Sequence, residues 1–403
     1  SSIPMDFIDE SFAKLSSWTK TAMPPGLLTE LISEGIIPGI GGVVIFIPQI
    51  AFLFLFISIL EESGYMSRVV FLMDKIMRRF GLSGKSVVPL ISGNACAIPA
   101  IMAARNIENW KERLITILVT PFTTCSARLP VFAILISLVI PDEKVLGFIN
   151  LQGLTLMILY LLGFGMAIFS AYLLNKILKF KSKSYFVVEM PNYRMPLFKN
   201  VAINVIEKTK AFIFGAGKII LALSIILWFL GSHGPGDNFK NAEEIVTEMP
   251  QNKGIDDEIL QDEIASFQLE NSYIGIIGKG IEPVIRPLGY DWKIGIAVVT
   301  SFAAREVFVG TLATIYNVGS HSEEELTIKN RMEAEVNPVT GEKVFNFATG
   351  ISLLLFYSFA MQCISTLAIT KKETNSWKWP MIQLGFMTVF AYVTSLIAYQ
   401  LLK

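Results

Sequence analysis

Residues 86–105 read SVVPLISGNACAIPAIMAAR. The stretch is apolar enough to enter a bilayer, yet Pro89, Gly93, Asn94 and Pro99 break any helix built from it. A helix broken at membrane depth frees backbone carbonyls and N–H groups that lipid cannot satisfy, so such breaks persist only inside protein or against a polar cavity. Cys96 sits at the break. A soft thiol beside loosened carbonyls and the Asn94 amide is a candidate metal-ion site.

Composition agrees with a bilayer as solvent. Of the 403 residues 52% are hydrophobic and 17% charged, and the mean hydropathy is +0.54, outside the range of soluble globular domains. A formal net charge of zero, with no basic arm, argues against a nucleic-acid partner. The three cysteines, Cys96, Cys125 and Cys363, lie far apart in apolar segments, unlike a secreted disulfide framework. Residues 1–20 are polar and mixed in charge, so no signal peptide is read there. A start without Met in such a stretch is expected of a fragment or a processed product.

Along the chain, residues 1–40 read as an interfacial lead-in followed by a short, Gly/Pro-punctuated re-entrant segment. Residues 41–183 form a first broken-helix unit with the helices that follow it. It opens with a span over 43–60 kinked at Pro48 and continues through the amphipathic YMSRVVFLMDKIMRRF of 65–80. The lysines at 176, 179, 181 and 183 mark the cytoplasmic side. Residues 184–210 read as a cytoplasmic amphipathic connector. A second broken-helix unit occupies 211–318 and includes an acidic, extracytoplasmic loop at 232–272. Residues 319–403 supply a polar loop and two closing membrane helices. An internal repeat links the two units: Arg78-x-x-Gly81-x-x-x-Lys85 recurs as Arg286-x-x-Gly289-x-x-x-Lys293, and the loop charges place the two copies in opposite orientations.

Candidate chemistry lies in the apolar segments. Both histidines fall in polar loops and neither belongs to a zinc-protease motif. The GKS of 84–86 resembles the end of a phosphate-binding loop, but Arg79 stands where the required Gly would be, and GKS reads as a polar elbow. Cys125 shares a helical face with Arg128, a cation that favours thiolate; alternatively Arg128 pairs with Asp74 or Glu306 and Cys125 only packs. Arg305-Glu306 is an ionisable pair in an apolar run, which reads as a gate or ion path or as an internal salt bridge. Glu61 and Glu62 at a helix end read as an acidic mouth or as solvated end charges, and Asp74 as a vestibule group.

LEESGYMSRVVFLMDKIMRRFGLSGKSVVPLISGNACAIPAIMAAR, TPFTTCSARLPVFA, VEMPNYRMP, FGAGKIILALSIILWFL, AAREVFVGTLATIY and MQCISTLA together resemble the membrane domain of the FeoB family of bacterial ferrous-iron transporters, over nearly the whole chain from about Leu31. Two of the stretches are of the type called Gate motifs. The resemblance implies an all-α polytopic membrane protein of the bacterial cytoplasmic (inner) membrane, a bundle with two inverted Gate-type repeats containing broken or re-entrant helices. It implies Fe2+ as the transported substrate and carries metal handling to Cys96, Cys125 and Cys363. Glu306 also falls on a family motif. Family members carry an N-terminal GTP-binding domain that has no counterpart in these residues, so no GTP site is expected in this chain and GTP hydrolysis would belong to that domain. Where the family usually has a GFGC-type run, this chain has SGNAC, with Asn94 as an added oxygen donor or a wider break.

The expected function is therefore a permease with Cys96 and Cys125 near its centre, Arg128 and Glu306 as gate charges, and Glu61, Glu62 and Asp74 in the vestibule. Expected partners are the bilayer, the GTP-binding domain, small cytoplasmic accessory proteins and other copies of the chain. The competing readings are a transporter for an organic solute such as a nucleoside, and a redox-sensing membrane subunit that transports nothing.

Overall fold

In the computed structural model, the described residues are 2–24, 26–145, 149–178, 193, 195–248, 257–302, 305, 307–315, 332, 343–361 and 363–403. They are helical apart from connections and a two-residue antiparallel ladder in which Lys144 faces Asn150 and Val145 faces Ile149. Among the described residues, six helical runs are long and apolar enough to cross a membrane: Leu27–Glu62, Trp110–Val139, Leu151–Ile177, Phe198–Ser232, Phe347–Thr374 and Lys378–Leu402. Crossing about 30 Å of hydrocarbon takes roughly 20 helical residues.

The chain divides into two compact units. One comprises 1–126, 159–222 and 364–386; the other comprises 127–158, 223–363 and 387–403. In the first unit, α1 (Ser2–Ala22) precedes α2 (Leu27–Glu62). The segment before residue 40, expected to be re-entrant, is helical and runs on into the rest of α2. Pro38 has no N–H to give, and the turn before it widens into a π-helical stretch, Leu31–Ile36, in which Ile37 N–H reaches back to Ile32 O. That widening absorbs the proline without ending the helix.

Next come α3 (Tyr65–Met77), α4 (Val87–Gly93), α5 (Ala97–Ala103) and α6 (Trp110–Val119). The core of the unit gathers Val43, Ile50 and Phe54 of α2, Ile98, Ile101 and Met102 of α5, Ile117 of α6, and Phe212 and Ile369 from later segments. In the second unit, α7 (Leu129–Val139) accompanies the later helices. After α8 (Leu151–Ile177) and α9 (Phe198–Ser232) come α10 (Asp257–Asn271), α11 (Tyr273–Ile285), α12 (Trp292–Ser301) and α13 (Val307–Ile315). The closing helices are α14 (Phe347–Phe359), α15 (Ile364–Thr374) and α16 (Lys378–Leu402).

The sequence repeat is a repeat of backbone shape. In each copy a 13-residue helix runs into a 3-10 turn begun by the arginine, at 78–80 and 286–288. Each turn ends on a left-handed glycine, Gly81 at φ 79° and Gly289 at φ 86°, a conformation that disfavours other residues. Gly81 leads into a short helix, a break and another short helix, and Gly289 leads into the short helix Trp292–Ser301. In the first copy the elbow is drawn tight: a Cβ on Gly84 would collide with the Val70 carbonyl, and Gly84 N–H donates to Asp74 Oδ1 at 2.9 Å.

Two polar clasps hold the first unit. Glu373, at 2% side-chain exposure, accepts from Arg105 Nε at 2.8 and 2.9 Å and from Arg113 Nη2 at 3.0 Å. Gln383 Nε2 donates to Ile117 O at 3.1 Å and Leu118 O at 2.9 Å, and its Oε1 accepts from Thr370 at 3.2 Å. Pro121 has no N–H for the Ile117 carbonyl, so the glutamine meets a need the proline creates.

Glu373→Gln is expected to destabilise the chain by about 1–3 kcal/mol, because it weakens the charge-assisted bonds to two partly exposed guanidinium groups. Gln383→Leu is expected to cost about 1–3 kcal/mol for each polar group it orphans. Thermal unfolding in detergent checks both; midpoints equal to wild type would show that neither clasp matters.

Candidate metal site and gate charges

All three cysteines lie at helix interruptions, and none is disulfide-bonded. α4 stops at Gly93, and Asn94 and Ala95 turn back to bond Ile91 O and Ser92 O. Cys96 then stands extended, at φ −157° and ψ 132°, as the residue before α5. Cys125 lies between two 3-10 turns, Thr120–Phe122 and Ser126–Arg128, where Pro121 and Pro130 deny the backbone a continuous helix. Cys363 falls between the end of α14 at Phe359 and the start of α15 at Ile364. Each thiol is half-buried.

The first two interruptions are laced together. Ser126 Oγ donates to Ala95 O at 2.9 Å, and Ser126 N–H points to the same carbonyl at 3.4 Å. Cys96 and Cys125 are the chain neighbours of these two residues, so the contact brings the two thiol-bearing breaks side by side. Room for it comes from Gly93, where a Cβ would collide with Thr123 Oγ1. A third element joins: Gln49 Nε2, from α2, donates to Ser126 Oγ at 2.6 Å. Gln49 and Ser126 were not singled out from the sequence, although a lone amide within FIPQIAFLFLF is the kind of intramembrane polar residue that signals a site.

The acidic residues divide by role. Asp74 is occupied locally, accepting from Arg78 Nε at 2.6 Å and from Gly84 N–H. That is a fastening of the elbow, and the sequence alternative of an Asp74–Arg128 pair is replaced by the Arg78 pair. Glu61 is exposed at the end of α2, and Glu62 Oε1 accepts from Asn200 Nδ2 at 3.1 Å. Asn94 is half-buried on the break. Arg128 is fully buried at the head of α7, and Arg305 is 6% exposed before α13. Glu306 lies outside the described residues. Among the described residues no three His, Cys, Asp or Glu side chains gather in metal-binding proximity, so the three cysteines do not form one cluster with each other or with carboxylates there.

Six long apolar runs, with thiols at helix interruptions and fully buried cations, define a multi-pass membrane protein of broken-helix architecture. The chain belongs to the Gate family, described as nucleoside recognition, whose model matches residues 43–139 and 213–377. A second model, for the C terminus of ferrous iron transport protein B, matches 156–208. The Fe(2+) transporter FeoB of Leptospira biflexa is 45% identical over 401 residues, covering 100% of this chain and 55% of the relative. That of Leptospira interrogans serovar Lai is 44% identical, covering 99% and 55%. A fusion of Fe(2+) transport protein A with Fe(2+) transporter FeoB from Porphyromonas gingivalis is 37% identical over 409 residues, covering 99% and 47%. The chain thus spans about half the length of the curated relatives it matches. No solved structure matched.

Gly93→Ala is expected to lower the unfolding midpoint, since the new methyl must displace Thr123. Gly165→Ala in α8, where a Cβ meets nothing within 4 Å, is expected to be neutral or stabilising by up to about 1 kcal/mol. Equal midpoints for the two variants would show that the breaks do not need their close approach.

Proposed function

We propose that this chain is the permease part of a ferrous-iron importer of the bacterial cytoplasmic membrane, with Fe2+ as substrate and Cys96 and Cys125 on its path. The observation that carries the reading is the Ser126–Ala95 contact, which joins two thiol-bearing breaks, together with relatives named Fe(2+) transporters. Thiolates with backbone, hydroxyl or amide oxygens suit a borderline divalent ion and give little to Mg2+ or Ca2+, which prefer all-oxygen shells. Each thiol that ligates releases a proton, so binding tightens as pH rises.

In this reading Cys363 and Asn94 are further ligands met along the path, and the buried Arg128 and Arg305 with Glu306 are gate charges that bias when a cation passes. Glu61 and Glu62 draw cations to an entrance, with Asp74 behind them as a vestibule wall. The two Gate repeats are inverted, as their loop charges suggest. A separate GTP-binding domain and a small accessory protein act on the permease, a role to which the fusion relative lends support. Copies of the chain associate with one another in the bilayer.

The description of the Gate family as nucleoside recognition favours one second reading, an organic solute as substrate. Uptake by proteoliposomes of the chain, reconstituted with the GTP-binding part of a relative, separates the two. Fe2+ uptake is expected, unaffected by a hundredfold excess of nucleoside and reduced at least tenfold by Cys96→Ser. Nucleoside uptake, or Fe2+ uptake indifferent to Cys96→Ser and Cys125→Ser, would overturn the proposed path.

A further inference from the structure

Gln49 is the sole polar side chain between Glu34 and Ser58, in the middle of a run that is otherwise apolar. Its amide is half-buried and oriented by a short bond, Nε2 to Ser126 Oγ at 2.6 Å. Ser126 Oγ in turn donates a hydrogen bond to Ala95 O at 2.9 Å. The donors of this chain are spent in one direction, from α2 through Cys125's neighbour to Cys96's neighbour. The Gln49 carbonyl Oε1 is left as an acceptor to which no described residue donates.

Among the described residues no third Cys, His or carboxylate joins a cluster with Cys96 and Cys125, and the Ala95 carbonyl already takes two donors from Ser126. A divalent ion held by two thiolates needs further donors, and neutral oxygens are what the neighbourhood offers. We propose that Gln49 Oε1 is the oxygen ligand of a mixed thiolate–oxygen site for a divalent transition metal, completed by Cys96 and Cys125. This rests on the permease reading above and goes beyond it by naming a ligand on α2 and what that ligand selects. An amide oxygen is harder than a thiolate, so Gln49 shifts preference from soft ions such as Cd2+ toward Fe2+ and Co2+. On binding, each ligating thiol gives its proton to solvent and the amide gives none.

The test is anaerobic titration of the full chain in detergent with Co2+, whose sulfur-to-cobalt charge-transfer band reports thiolate ligation, followed by Cd2+ competition. Wild type is expected to show the band, and Cys96→Ser to lose it. Gln49→Leu is expected to keep the band while Co2+ affinity falls by about 10- to 100-fold, with Cd2+ affinity nearly unchanged. Gln49→Glu, which keeps an oxygen and loses the donor, is expected to restore Co2+ affinity. Ser126→Ala removes the bond but not the ligand, and is expected to cost less than Gln49→Leu. If Cys96→Ser abolishes the band while Gln49→Leu binds Co2+ like wild type, the Gln49 ligand is refuted and the thiol path stands. If Ser126→Ala matches Gln49→Leu and Gln49→Glu restores nothing, Gln49 only braces the breaks, and the ligand is again refuted. A band unaffected by Cys96→Ser would remove the thiol path itself, and the proposal with it.

Discussion

Every peptide group that leaves a helix inside a bilayer must find a partner within the protein, because lipid offers none and an orphaned group costs several kcal/mol. That requirement explains side chains that apolar segments would otherwise exclude. Pro121 frees carbonyls on α6, and Gln383 arrives from α16 to occupy them. The break after Gly93 frees Ala95 O, and Ser126 arrives from the adjoining interruption. In both places one break is closed by a polar side chain whose position depends on another helix, so the interruptions and the tertiary packing of the unit form together.

The glycines fit the same economy of space. Gly84 lets α3 lie against the elbow, and Gly93 lets two breaks meet. A side chain at either position would hold the partners apart by more than a hydrogen bond spans. Gly81 and Gly289 serve a different need, the left-handed turn that ends each long helix of the repeat before its broken partner begins. The charged clasp at Glu373 sits where α15 meets the ends of α5 and α6, so the breaks lie in a unit whose end is firmly tied.

Much of this was legible in the sequence. Pro and Gly within apolar runs announced the interruptions at 94–96, and the Arg-x-x-Gly spacing announced a repeat that the backbone reproduces. The continuity of the helix through Pro38 was not legible, because a segment punctuated by Gly35, Pro38, Gly39, Gly41 and Gly42 reads as interrupted. A π-helical turn, which depends on one hydrogen bond to Ile32 O rather than on composition, carries the helix through. Gln49, Gln383 and Glu373 were missed for a common reason. Each acts on a partner far away in sequence, and a local window sees only an isolated polar residue in an apolar segment or, for Glu373, a charge among the lysines that close α15. Asp74 was legible as a charge, with Arg78 at i+4, but not as a fastening of the elbow, because its other partner, Gly84 N–H, is a backbone donor and leaves no mark in residue type.

The distribution of charge constrains how a dication can use such a scaffold. Two carboxylates of the first unit, Asp74 and Glu373, are held by arginines or a backbone donor, and displacing them would strand those donors. Drawing either of these two into an ion path would therefore work against the fold. In general a thiol buries at little cost while it keeps its proton, and two thiols that give up their protons to a dication cancel its charge. A neutral metal–dithiolate unit can sit at a helix break without a counterion, and neutral oxygens can complete its shell without adding charge. The polar groups around residues 93–96 and 123–126, namely Asn94, Gln49, Thr123, Ser126 and Ala95 O, are amides, hydroxyls and a carbonyl, which is the neutral chemistry that the proposed site calls for.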